Sequence, residues 1–131
     1  MTYYLGFVDG DEYKVMGLAP YGKANIDLSK ILKVTKDGWK FNDSFMRKNP
    51  VIRSPFEVLY ADKLEKLLGV PGRTPQKELN NYYKNLAAST QSTLENCLVS
   101  AIKYLSKKKP DLSLIHISEP TRPRLISYAV F

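Results

Sequence analysis

Histidine is almost missing from this chain of 131 residues. His116 stands alone, so no site needing two or more histidines can be assembled from it. Cysteine is equally scarce. Cys97 cannot close an internal disulfide, which fits a reducing compartment. No apolar run approaches the roughly 20 residues that span a bilayer. The opening Met1-Thr2-Tyr3-Tyr4-Leu5-Gly6 has no basic region followed by an apolar core, so no secretion signal is read there. Together these absences lead to the expectation of a cytoplasmic protein without a membrane partner. No internal repeat or low-complexity stretch occurs.

What remains is ordinary for one small globular domain: 44% hydrophobic, 25% charged and 11% aromatic residues. Twenty Lys and Arg against thirteen Asp and Glu give a net charge of +7. That excess permits contact with nucleic acid or acidic ligands without requiring it.

The end of the chain stands apart. Leu112 to Arg122 coincides with a translated transposase-type sequencing adapter, and Ile126 to Phe131 with the primer string that flanks it. The competing reading is a β-rich segment around Leu114, Ile115 and Ile117. Residues 112–131 are therefore expected to be an adapter-derived tail and residues 1–111 the natural part. Without the tail, 18 basic and 12 acidic residues remain, a net of +6, and no histidine at all.

Along residues 1–111 the pattern alternates between helix and turn. Asp9 or Asp11 is placed to cap a helix, with Glu12 in its first turn and Val15, Met16, Leu18 and Ala19 continuing it for two turns. Pro20 stops it, and Tyr21-Gly22 makes the exit. Ile31 to Phe41 predicts a β-hairpin turning at Asp37-Gly38, with Lys36 opposite Trp39 and Val34 opposite Phe41. Leu32, Val34, Trp39 and Phe41 then share one face. Residues 42–55 read as loop. Tyr60, Leu64, Leu67 and Leu68 predict a helix ended by Gly69 and Pro71, and residues 70–75 a turn. From Leu79 to Leu105 apolar residues recur at three- and four-residue steps without Gly or Pro. This predicts one long amphipathic helix closed by Lys107, Lys108 and Lys109. With so few partners, part of its apolar face should stay uncovered.

The densest cluster of functional residue types is Gly10-Asp11-Glu12-Tyr13-Lys14-Val15-Met16-Gly17-Leu18-Ala19-Pro20-Tyr21-Gly22. Carboxylates can accept hydrogen bonds from ribose hydroxyls. A lysine can hold a phosphate as a point charge. Glycines let backbone approach a ligand. Elsewhere, Tyr82 and Tyr83 read as core residues rather than a stacking platform. Cys97 reads as a small buried hydrophobe, since no histidine is available to activate it. The lysine run suits a solvated helix C-terminus.

The stretch GDEYKVMGLAPYG, with Thr2 to Phe7 before it, resembles the signature of the O-carbamoyltransferases of the nodulation-protein-U, tobramycin and cephamycin type. A second stretch, Asn85-Leu86-Ala87-Ala88-Ser89-Thr90-Gln91-Ser92-Thr93-Leu94-Glu95, resembles that family's "DLAAS-Q--LE" helix, and the two come in family order. The resemblance implies an α/β fold: part of an actin-like ATPase (ribonuclease H-like) domain, here mostly helical with one hairpin. It implies carbamoyl phosphate and ATP as reactants, a carbamoyl-adenylate, and a hydroxyl-bearing small molecule or sugar as acceptor. It implies a bound divalent metal, iron, whose histidines lie upstream of KVMGLAPYG, and a Gly-rich nucleotide loop downstream of the LAAS helix. Neither is found in this chain, so an internal piece without catalysis of its own is expected. Glu12 and Lys14 would be its nucleotide or carbamoyl-adenylate contacts, with Gly17, Tyr21 and Gly22 shaping the wall. No catalytic residue is assigned. A different class stays open: a stand-alone basic module binding nucleic acid or a protein partner. Against nucleic acid, lysines and acids are interspersed rather than gathered in one stripe.

Overall fold

The computed structural model describes residues 1–48 and 59–108. The adapter-like tail, residues 109–111 and the second half of the loop read between residues 42 and 55 (residues 49–55) lie outside the described residues. The described residues mix helices with one small sheet. In order they form a 3-10 turn (Tyr3–Leu5), helix α1 (Glu12–Leu18), a second 3-10 turn (Ala19–Tyr21), strands β1 (Leu32–Thr35) and β2 (Gly38–Phe41), a third 3-10 turn (Asp43–Phe45), and helices α2 (Asp62–Leu68) and α3 (Asn81–Lys108).

Most expected elements form, and their boundaries shift for local reasons. Pro20 does end α1, by converting the last turn to a 3-10 turn. Asp11 occupies the N-cap position but caps nothing with its side chain. Its carboxylate is spent on the Val8 N–H (3.3 Å) and on Lys14. Tyr60 stands before α2 rather than in it, pairing with Met46 in an isolated antiparallel bridge. Gly69 closes α2 at φ 70°, its N–H donating to the Glu65 carbonyl at 2.8 Å. Leu79 lies just before α3.

The hairpin pairs Leu32 with Phe41, Val34 with Trp39 and Thr35 with Gly38, so the turn is Lys36-Asp37 and not Asp37-Gly38. Gly38 has φ 137°, outside the left-handed helical region a type I′ turn needs, and it is drawn into the ladder. Relative to the expected register, each partner moves by two residues. Side chains alternate with period two, so an even shift leaves Leu32, Val34, Trp39 and Phe41 on one face. That face is only partly covered: Val34, Trp39 and Phe41 all stay substantially exposed.

The core forms around the first half of α3. Tyr4, Leu5, Val15, Leu28, Ile31, Phe45 and Leu64 pack with Tyr83, Leu86 and Ala87. Three tyrosine hydroxyls tie the end of α2 and the connection after it to this core. Tyr4 donates to the Val70 carbonyl, Tyr82 to Leu68 (3.1 Å) and Tyr83 to Pro71 (3.1 Å). Satisfying those carbonyls is what allows three phenols inside an apolar cluster. The second half of α3 differs. Cys97 is buried, while Leu94, Leu98, Val99, Ile102 and Leu105 are exposed. The expected single apolar face is thus covered over only half the helix. Beyond Cys97, the hairpin holds α3 through the Ser100 hydroxyl, which donates to the Thr35 carbonyl. Among the described residues no helix is long and apolar enough to cross a membrane.

Burial also sets an alkaline limit. It raises the ionisation of Tyr4, Tyr60 and Tyr82 above the ordinary phenol value, with Tyr60 pushed up to about 12 by burial and by its bond to Glu65. The fold therefore favours the protonated phenols. Their contribution is whole below the unfolded value of about 10 and is lost as pH climbs through the folded values. Tyrosinate absorbance should show a delayed fraction that appears together with loss of helical circular dichroism between about pH 10 and 12.

Candidate functional site

Helix α1 presents two faces, separated by the 3.6-residue period. Val15 and Ala19 are buried toward the body of the protein, and Met16 shares their side of the helix at its solvent edge. Lys14 and Gly17 fall on the opposite side and are exposed, as is Tyr21 in the 3-10 turn that follows. Lys14 Nζ lies 2.9 Å from Asp11 Oδ1. That bond holds the Asp11 carboxyl below its ordinary value and raises the Lys14 ammonium. Lys14 is thus a fixed positive charge with much of its surface still open. Gly17 is helical, and a Cβ there would meet nothing within 4 Å. No packing demand explains it, so the backbone is bare on the open side.

Gly22 is the reverse case. A Cβ built on it would lie 2.1 Å from the Lys84 carbonyl oxygen and 2.6 Å from the Asn85 nitrogen. The chain leaving α1 therefore rests directly on the backbone of α3. Two side chains of α3 then grip the segment Lys23 to Ile26. Asn85 Oδ1 accepts from the Lys23 N–H (2.8 Å), and Ser89 Oγ accepts from the Ile26 N–H (3.0 Å) while donating to the Asn85 carbonyl (2.8 Å). The end of the first stretch singled out in the sequence, at Gly22, and the residues just after it are in this way held against the start of the second, sixty residues or more away.

Between them lies an open cleft of about 350 Å³. Met16, Ala19 and Pro20 line one side and Ala88, Gln91, Ser92 and Glu95 the other. Gln91 Nε2 donates to Glu95 Oε1 at 2.9 Å, which presents the pair as one polar edge. The sequence-assigned residues divide around this cleft. Gly22 makes the docking possible. Lys14 and Gly17 lie on the outer side of α1, and Tyr21 is exposed in the turn after it. Glu12 is exposed in the first turn, where its charge acts on the Met1 amino group and on Tyr3. None of the five is a lining residue of the cleft.

Sequence reasoning does not assign Asn85, Ser89, Gln91, Ser92 or Glu95. A signal is there: Asn85 and Ser89 are polar residues four apart that flank the buried run Leu86-Ala87-Ala88, and polar groups beside a buried stripe need partners. Arg73 also escapes it, within a stretch read as turn, yet it is buried. Among the described residues no group of three or more His, Cys, Asp or Glu could hold a metal ion.

A cleft walled by two helical segments thus lies beside a charged and glycine-bearing outer face. The sequence model of the carbamoyltransferase N-terminus matches residues 1–115, and the chain belongs to that family. Over 103 residues, 75% of the chain, it is 32% identical to "Uncharacterized protein sll1178" of Synechocystis sp. (strain ATCC 27184 / PCC 6803 / Kazusa). The match covers 16% of that protein's length.

Proposed function

We propose that this chain supplies one wall of the carbamoyl-transfer site in an O-carbamoyltransferase. The whole protein would move a carbamoyl group from carbamoyl phosphate, by way of a carbamoyl-adenylate, to a hydroxyl of a small molecule or sugar. The observation that carries the reading is the docking of the two family-like stretches through Gly22, Asn85 and Ser89. We assign the domain to the actin-like ATPase type on the resemblance of these two stretches, with residues 1–111 as its natural portion.

ATP, when bound, supplies the adenylate that activates the carbamoyl group. Lys14, kept protonated by Asp11, is suited to face a phosphate as a point charge. Glu12 offers an acceptor to ribose hydroxyls. The bare backbone at Gly17 lets a ligand come close, and Tyr21 borders it. Such groups act by positioning and by charge stabilisation. The iron implied by the resemblance finds no ligand set among the described residues, so no step is drawn through it.

The test uses the carbamoyltransferase that carries this segment, supplied with ATP, carbamoyl phosphate and a hydroxyl acceptor. Lys14→Ala should lower kcat/KM at least about tenfold. Gly17→Ala should lower it as well while raising thermal stability by about 0.5–1 kcal/mol, because alanine is the better helix residue. An exposed hairpin change, Val34→Thr, should leave turnover unchanged. Carbamoyl transfer that proceeds without ATP, or Lys14→Ala at full activity, would sink the reading.

A further inference from the structure

We infer that the pocket enclosed by α3, the hairpin and the third 3-10 turn binds a small uncharged apolar molecule about the size of one aromatic ring, independent of the carbamoyl-transfer reading. Its volume is about 220 Å³. Drug-sized ligands occupy roughly 300–1,000 Å³, whereas an apolar cavity of roughly 150 Å³ is enough to stay dry and take up benzene. The pocket lies across α3 from the cleft beside α1. Thr90, Thr93 and Leu94 face the pocket, while Gln91, Ser92 and Glu95 face the cleft.

Its floor is made by side chains that the core already fixes. Leu28, Ile31, Phe45 and Leu64 line it, and all four are buried. Its mouth is different. Phe41 of β2, Met46 after the third 3-10 turn and Leu94 of α3 line it too, and each stays 44–48% exposed. Three large apolar side chains from three separate elements thus stand wet around one apolar recess, where a ligand would cover them together. The unbranched thioether of Met46 can adjust to the outline of what enters.

The walls carry no charged side chain, in a protein where 25% of residues are charged. The hydroxyls that line the pocket spend their protons on the protein. Thr90 donates to the Leu86 carbonyl (2.8 Å), Thr93 to the Ser89 carbonyl (2.7 Å) and Tyr60 to Glu65 Oε1 (3.1 Å). The one ionic group on a lining residue is the Met1 amino group, whose pKa burial pushes down. A carboxylate or phosphate would shed its hydration shell for walls that offer no side-chain donor. Water fares poorly as well, because a buried water needs two to four polar partners. An uncharged ring gives up no hydrogen bond on entry, and apolar surface leaves water on both sides. The match in charge is therefore to a neutral ligand.

The experiment is an amide- and methyl-shift titration of the 131-residue chain with fluorobenzene, against sodium benzoate as the charged counterpart. Saturable shifts at Ile31, Phe45, Leu64 and Thr93, produced by fluorobenzene and not by benzoate, are expected. A footprint on Leu98, Ile102 and Leu105 instead, benzoate binding as tightly, or no saturable shift would overturn the inference. Leu94→Glu places a charge at the mouth, on a residue exposed enough for the fold to tolerate it. It should lower fluorobenzene affinity at least about fivefold, while Leu98→Glu, one turn further on and outside the lining, should not. Equal effects of the two would count against the site. In the carbamoyltransferase that carries this segment, the fluorine line of fluorobenzene should broaden with the wild type and sharpen with Leu94→Glu. No difference there would mean that the rest of that protein fills the pocket, and the inference would fall.

Discussion

Gly22→Ala should unfold the protein or come close to it, at a cost of about 3 kcal/mol or more in urea denaturation. The reason is what the new methyl meets. Its nearest neighbours are the Lys84 carbonyl at 2.1 Å and the Asn85 nitrogen at 2.6 Å, both backbone of α3. Backbone inside a helix cannot swing aside as a side-chain tip can. Relief requires the chain after α1 to lift away, and the lift breaks the Lys23–Asn85 and Ile26–Ser89 hydrogen bonds together. Gly17→Ala, five residues earlier, meets open space and should stabilise. The opposite signs of two chemically identical substitutions are the check. Equal effects would mean that the exit turn does not rest on α3.

Leu86→Ala should cost about 2–5 kcal/mol. Leu86 is fully buried at the centre of the core, between the residues that hold α1 and the first turn. Leu98→Ala, on the same helix and the same residue type, should cost under about 0.5 kcal/mol, since Leu98 is 48% exposed. Thermal or urea unfolding of the two variants measures this contrast directly. Comparable losses would show that the second half of α3 is covered in solution.

The contrast marks how far the sequence could be read. Spacing of apolar residues locates α1, α2 and α3, because each puts a stripe against the core and that stripe is a local property. It cannot tell the two halves of α3 apart. Leu86 and Leu98 obey the same period, and only the packing of Tyr4, Leu5 and Ile31 decides which is covered. The hairpin is legible in place and face but not in register, since an even shift in pairing changes no side chain's face. The site is legible as two stretches, not as a geometry. Nothing in GDEYKVMGLAPYG announces that Gly22 meets a helix over 60 residues on. Nor does anything there announce that Lys14 would be held by Asp11 on the side away from the cleft. Arg73 is hidden for a similar reason. An arginine in a turn is ordinarily solvated, and its burial depends on carbonyls from Leu5, Pro75 and Lys77 converging on it.

Trp39 is the only tryptophan in the chain, and it lies 51% exposed on the hairpin, away from the core cluster. Its emission is thus a reporter of the hairpin, whereas the near-ultraviolet signal of Tyr4 and Tyr83 reports the packed half of α3. The two optical signals divide the molecule into an outer and an inner witness. If the hairpin detaches first, the tryptophan transition will run ahead of the tyrosine one. If the transitions coincide, the contact between Ser100 and Thr35 binds hairpin and core into one cooperative unit.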